Sequence, residues 1–293
     1  MEQIGNKKIV MLGHKRVPSR EGGIEVVVGE LAARLIERGY SVTCLNRAGH
    51  HVSGKMFDKH INNEYNGIML KSVWTIDRGG LAAITASISG AISAAFGQYD
   101  IVHFHAEGPC AMMWLPKLFG KRCIATIHGL DHKRARWSKL ASGYIMLGEK
   151  VAARLADEII VLNATDQEYF KAKYRRQTNL IPNGVAKPSI LRAQLIKEKF
   201  GLSKDSYILF LGRLVEEKGV HLLINAYMKT NTDKNLVIAG GSSKSDGYVN
   251  TLKKLASSDS RIIFTDYIEG NTLAELYSNA YVYALPSEIE GMP

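Results

Sequence analysis

Short apolar runs alternate along this chain with longer segments whose apolar residues recur every three or four positions. Residues 8–13 form a brief apolar run, 25–38 carry helical periodicity, 40–46 are rich in β-formers, and 68–74 make another strand-like segment. The pattern continues with strands predicted at 100–105, 123–128 and 158–163, and helices near 111–118 and 140–155. After a break at Leu180-Ile181-Pro182-Asn183-Gly184, it resumes with strands at 207–211, 236–239, 262–267 and 281–285. Helices at 219–230, 248–256 and 273–278 lie between them. Such alternation predicts βα units around parallel sheets, hence an α/β fold of two Rossmann-like, doubly wound domains. The Pro and Asn-Gly signals, with Pro188 close behind, set the predicted boundary, giving domains 1–186 and 187–293. Two such domains would take a ligand in the cleft at the carboxyl ends of their strands.

One segment invites a different reading. From Gly79 to Tyr99 there is no charged residue, a length that could span a bilayer. Its content is mostly Ala, Ser, Gly and Thr, with Leu81, Ile84, Ile88, Ile92 and Phe96 at near-helical spacing. A buried amphipathic helix is the better expectation. The start of the chain shows no secretory h-region, so an intracellular location is expected.

Composition narrows the classes further. With 293 residues, 46% hydrophobic and 23% charged, the chain has the makings of two ordinary cores, which excludes collagen, coiled-coil and disordered classes. Cys44, Cys110 and Cys123 form neither a C-x-x-C nor a metal-spaced cluster, so disulfide and zinc frameworks are not expected. The net charge of +10 is unevenly placed: residues 1–186 hold 25 Lys and Arg against 16 Asp and Glu, and the remainder holds 13 against 12. A basic first half suits a phosphorylated substrate or anionic lipid, and with no RNP, zinc-finger or basic-zipper pattern no nucleic-acid partner is expected.

Three loops carry the candidate chemistry. The first runs from Gly13-His14-Lys15-Arg16 to Gly22-Gly23, where adjacent glycines at a helix start would open backbone N–H groups toward an anion. It lacks G-x-G-x-x-G, so no dinucleotide fingerprint is present. The second is Gly212-Arg213-Leu214-Val215-Glu216-Glu217-Lys218-Gly219, with two cations at a strand end and a helix start, suited to a diphosphate. The third is Pro286-Ser287-Glu288-Ile289-Glu290-Gly291 near the end of the chain.

Gly-Arg-Leu with Glu-Lys-Gly, followed by Pro-Ser-x-x-Glu-Gly, resembles the nucleotide domain of family 4 glycosyltransferases, which have the GT-B fold. Thr126-Ile127-His128-Gly129, Ala156-Asp157-Glu158-Ile159-Ile160, Ile181-Pro182-Asn183-Gly184-Val185 and Val237-Ile238-Ala239-Gly240-Gly241 match as well. The opening residues 12–23 resemble more narrowly the bacterial capsule and cell-wall rhamnosyltransferases of that group. The resemblance implies a retaining transferase that moves a sugar from a nucleotide-diphosphate donor to a growing, lipid-linked surface polysaccharide. It places Gly22, Gly23, Arg213 and Lys218 at the donor diphosphate, and Gly240, Gly241 and Ile268 at the nucleotide. It places His128 beside the transferred sugar, and makes Glu290 the first carboxylate of the E-x7-E pair. No metal cofactor is expected, two cations supplying the neutralisation Mg2+ gives elsewhere. The second carboxylate of that pair would fall beyond Pro293, so the sequence is expected to be a C-terminally truncated form with an incomplete second domain and little activity.

Two residue sets outside those motifs have structural and functional readings. His103 and His105 share one strand face and are expected to be mainly structural. The run Asp131-His132-Lys133-Arg134-Ala135-Arg136-Trp137-Ser138-Lys139 is either a solvated loop or a contact with anionic membrane at the inner face of the cell membrane. A GT-B nucleotide-sugar epimerase and a non-catalytic nucleotide-sugar-binding fragment are the alternative functions.

Overall fold

A computed structural model describes residues 7–19, 22–48, 63–76, 78–133, 139–185, 190–241 and 246–287. The chain divides into two compact units, Met1–Asn183 and Gly184–Gly291.

In the first unit β1 (Lys8–Leu12), α1 (Gly23–Glu37), β2 (Ser41–Arg47), β3 (Glu64–Tyr65) and β4 (Ile68–Val73) come first. They are followed by α2 (Gly79–Phe96), β5 (Ile101–His105), α3 (Glu107–Cys110), α4 (Trp114–Leu118), β6 (Arg122–Ile127), α5 (Lys139–Leu155), β7 (Glu158–Val161), α6 (Ala164–Tyr174) and β8 (Asn179–Leu180). The sheet runs β3-β4-β2-β1-β5-β6-β7-β8, parallel throughout except at the β3–β4 edge. Omitting the two outermost strands, the order is that of a dinucleotide-binding sheet, with its topological switch between β1 and β5.

The period of two in β1 explains why helices cover both faces. Val10 and Leu12 point into a core with Ala86 and Ala94 of α2, Ala152 and Ala153 of α5 and Phe170 of α6. Ile9 and Met11 point the other way, onto Val28 and Ala32 of α1. Each face is dry, so neither strand register nor helix side is free to slip.

The uncharged segment is a helix, but of its large residues only Ile84 is half-buried and the others do not form its buried face. Ala91 and Ala94 are fully buried, whereas Leu81, Ile88, Ile92 and Phe96 are exposed, Phe96 by 68%. A Cβ on Gly90 would lie 3.3 Å from Leu12, so the helix approaches the sheet too closely for anything but small side chains. Among the described residues no helix is long and apolar enough to cross a membrane.

The helix expected near 111–118 is instead two short ones. Pro109 and Pro116 each occupy the third position of a helix, where the missing N–H has no intrahelical partner to lose. One continuous helix would put Pro116 in its interior, so the chain turns at 111–113 and starts again. Helix α6 has little amphipathic pattern; it starts because the Asn163 side chain caps it, accepting from Asp166 N–H at 2.8 Å.

In the second unit α7 (Leu195–Phe200), β9 (Tyr207–Leu211), α8 (Val220–Tyr227), β10 (Asn235–Ala239), α9 (Asp246–Ala256), β11 (Ile262–Asp266), α10 (Gly270–Asn279) and β12 (Val282–Tyr283) follow in order. The sheet is all parallel, β11-β10-β9-β12. Phe210, Leu236 and Ile238 pack with Ile224 of α8 and Leu252 of α9. Tyr207, Leu209 and Val237 pack with Ile196 of α7 and Leu276 of α10, so this sheet too is covered on both faces.

Candidate functional site

The carboxyl ends of the strands gather the candidate residues in each unit. In the first, β1 runs into Gly13 and His14, β2 ends on Asn46 and Arg47, β5 ends on His105, and β6 leads to His128. Gly13 has φ +105, and a Cβ there would fall 2.1 Å from the His105 carbonyl oxygen. Only glycine permits both that conformation and that approach. The loop that follows is held by buried Asn46. Its Oδ1 accepts from Val17 N–H at 2.9 Å and lies 3.2 Å from His14 Nε2, while its Nδ2 donates to Val17 C=O at 2.9 Å.

Gly22 caps α1 in an extended conformation. A Cβ on it would meet Glu25 Oε2 at 2.3 Å, and Glu25 Oε1 accepts from Lys15 N–H at 2.9 Å. A buried carboxylate therefore stands at this helix start, while Gly23 faces open space. Sequence reasoning passed over Glu25, although its place two residues after the glycine pair, in the first turn of a helix, is a signal for a charge facing the dipole.

His128 Nε2 lies 3.1 Å from His105 Nδ1, with the rings stacked at a centroid separation of 5.4 Å. His103 lies behind, its Nε2 2.8 Å from Thr126 Oγ1. Burial lowers His128 to about 4 despite the opposing pull of Glu25, and lowers His103 to about 3, with His128 adding to the effect. Burial and the neighbouring imidazoles hold His105 well below its ordinary value, and burial brings His14 to about 4. All four rings are therefore neutral at pH 7. His105 Nε2 is buried without a partner. An unmet lone pair costs less there than an unmet N–H, so the favoured tautomer has His105 Nδ1–H donating to His128 Nε2. His128 then carries its own proton on Nδ1, which makes that nitrogen a neutral donor.

In the second unit Gly212-Arg213 leaves β9 and Lys218 ends the single turn before α8. Arg213 Nη2 is 3.3 Å from Glu217 Oε1, and Arg213 and Lys218 are both half-buried. Leu214 N–H donates to Gly241 C=O at 3.0 Å, and Gly240 N–H to Asp266 C=O at 2.9 Å, so the ends of β9, β10 and β11 are laced together. Gly240 has φ +139, and a Cβ would come within 1.9 Å of Gly212 O. Gly241 retains room beside Tyr267, and Ile268 is half-buried just beyond β11, packed on the α7–α10 side. Glu290 and residues 134–138 of the basic run lie outside the described residues; Asp131–Lys133 form a single 3-10 turn.

Known proteins resemble this chain in sequence and in fold. The family described as Glycosyltransferase Family 4 matches residues 21–187, more than half of the chain, and Glycosyl transferases group 1 matches 193–293. A D-inositol 3-phosphate glycosyltransferase of Xylanimonas cellulosilytica is 27% identical over 92% of this chain and 70% of its own length. A GDP-mannose-dependent alpha-(1-6)-phosphatidylinositol monomannoside mannosyltransferase of Mycolicibacterium smegmatis is 27% identical over 70% of this chain and 56% of its own. Among solved structures, a sucrose-phosphate synthase of Thermosynechococcus elongatus superposes with a TM-score of 0.78 at 21% identity, over 98% of this chain and 77% of that one. HepE of Anabaena, in complex with UDP-glucose, gives 0.71 at 17%, over 96% and 74%. The structural likenesses show the fold, α/β with Rossmann-like units as in GT-B enzymes, and the sequence match shows the rest: this chain belongs to glycosyltransferase family 4.

Proposed function

We propose that the chain transfers a sugar, with retention, from a nucleotide-diphosphate donor to a lipid-linked surface polysaccharide. The observation that carries this reading is the pair Arg213 and Lys218 at the carboxyl end of β9 and the start of α8. Breaking a sugar–phosphate bond leaves negative charge on the diphosphate, and fixed cations there stabilise the transition state more than the ground state. In this proposal Gly22 and Gly23 approach the diphosphate by backbone, and Gly240, Gly241 and Ile268 border the nucleotide. His128 offers its Nδ1–H to the transferred sugar, and Glu290 contacts that sugar as the family motif implies. The nucleotide-sugar donor is supported by the UDP-glucose bound to HepE, and the lipid-linked acceptor by the phosphatidylinositol glycolipid in the name of the mycobacterial relative. Rhamnose as the sugar rests on the resemblance of residues 12–23 alone. Peripheral docking at the inner membrane face rests on the basic charge of residues 1–186.

The test is a screen of nucleoside-diphosphate sugars by thermal shift, followed by transfer to lipid-linked acceptors with the anomer read by NMR. A bound donor raises Tm by mass action. A single stabilising donor whose sugar appears on an acceptor with its configuration kept is the expected result. Epimerised free sugar nucleotide, or an inverted product, would replace this reading.

A further inference from the structure

We propose that Glu107, Glu149 and His132 form a site for one divalent transition ion, Zn2+ or Mn2+, inside the first unit. Glu107 opens α3, Glu149 lies in α5, and His132 sits in the 3-10 turn after β6. One ligand atom from each lies within 4.8 Å of the others. Both carboxylates are fully buried, and Glu107 Oε2 has no hydrogen-bond partner, a costly state for a buried polar oxygen. Glu149 Oε2 stands 3.0 Å from His132 Nδ1.

The outer oxygens are fastened from behind. Glu107 Oε1 accepts from Asp131 N–H at 3.0 Å, and Glu149 Oε1 accepts from Tyr169 OH and Lys173 Nζ, each at 2.9 Å, and from Tyr174 OH. His132 Nε2 is 3.4 Å from Tyr169 OH. Each residue thus turns one atom inward while the other is anchored, as metal ligands do when outer hydrogen bonds orient them. Burial, and after it the carboxylate of Asp131, pushes Glu107 well above the usual carboxylate range. One imidazole with two carboxylates in a dry, compact setting suits Zn2+ or Mn2+. Mg2+ would keep several waters, and Ca2+ needs six to eight oxygens. The ion would tie α3 and α5 to the turn that follows His128. The proposal does not depend on the transferase reading.

The competing account is a protonated Glu107 with no ion. The chelator-stripped 293-residue chain is dialysed separately against Zn2+, Mn2+, Mg2+ and Ca2+, and Co2+ is followed by its visible absorption. One equivalent of Zn2+ or Mn2+ per chain, with a rise in Tm, is expected. Glu107→Gln should abolish that stoichiometric binding, and Tyr174→Phe, which removes only an outer hydrogen bond, should weaken it about 10- to 100-fold. No saturable binding by the wild-type chain, binding unchanged in Glu107→Gln, or equal binding of Mg2+ and Ca2+ would each overturn the proposal. If Glu107→Gln does not fold, the wild-type Co2+ spectrum decides: absence of a d–d band rejects the site.

Discussion

His105 Nδ1 lies 3.1 Å from His128 Nε2, and this contact fixes which nitrogen of His128 carries the proton. Replacing His105 by Leu removes the donor and frees the His128 ring. Since His105 is buried behind His128, turnover should fall while the donor KM changes little. An equal loss in KM would show that His105 acts on donor binding.

The buried imidazoles make the fold acid-sensitive. His14 and His128 titrate near 4 and His103 near 3 in the folded state, against 6.5 when exposed. Between those values the unfolded chain binds protons that the folded chain refuses. Stability is therefore complete above about 6.5 and falls as pH drops toward 4, by about 1.4 kcal/mol for each unit of displacement per group. Tm measured from pH 7.5 to 4.5 should decline in that window, and His103→Gln, which removes one titrating group, should flatten the decline. An unchanged acid slope in the variant would remove His103 from the cause.

Asn46 is a single side chain holding both the N–H and the C=O of Val17. Asn46→Ala leaves those two backbone groups without their partner, so a loss of about 1–3 kcal/mol is expected in denaturant unfolding. A loss under half of the lower figure would mean that solvent replaces the clamp.

Gly240→Ala places a methyl 1.9 Å from Gly212 O and forces φ +139 on an L side chain. The ends of β9 and β10 must separate, so a Tm several degrees lower and weakened nucleotide binding are expected. Wild-type Tm in this variant would contradict the close approach.

In the proposed diphosphate site, Arg213→Ala and Lys218→Ala would each delete one charge-assisted contact of about 1.5–3 kcal/mol. Calorimetric titration with UDP or GDP should show affinity about 10- to 100-fold weaker for each variant. Identical isotherms would move the diphosphate site away from this loop.

Local pattern reaches as far as each element's own period allows. The alternating apolar runs predict the strands β1, β2, β4, β5, β6, β7, β9, β10, β11 and β12, because a strand packed within a sheet carries a short apolar run whatever its neighbours are. The glycine and cation loops are legible for a similar reason, since turn chemistry is set within a few residues. Helix α6 and the division between α3 and α4 are not read from periodicity. The first rests on one cap, at Asn163, and the second on where Pro109 and Pro116 fall within a turn.

By itself, the sequence determined the α/β class, the two units and the loops at which chemistry was to be sought. Only the tertiary structure decided which face of α2 is buried. Spacing grouped Leu81, Ile84, Ile88, Ile92 and Phe96 as the inner stripe, yet all but half-buried Ile84 are exposed, and close packing against Leu12 puts small residues on the inner face. The histidine contact between β5 and β6, the Glu25 carboxylate at the start of α1 and the Glu107–Glu149–His132 cluster were likewise beyond local reading. Each joins residues from separate elements, and their separation is set by sheet order and helix packing, which no window of neighbouring residues encodes.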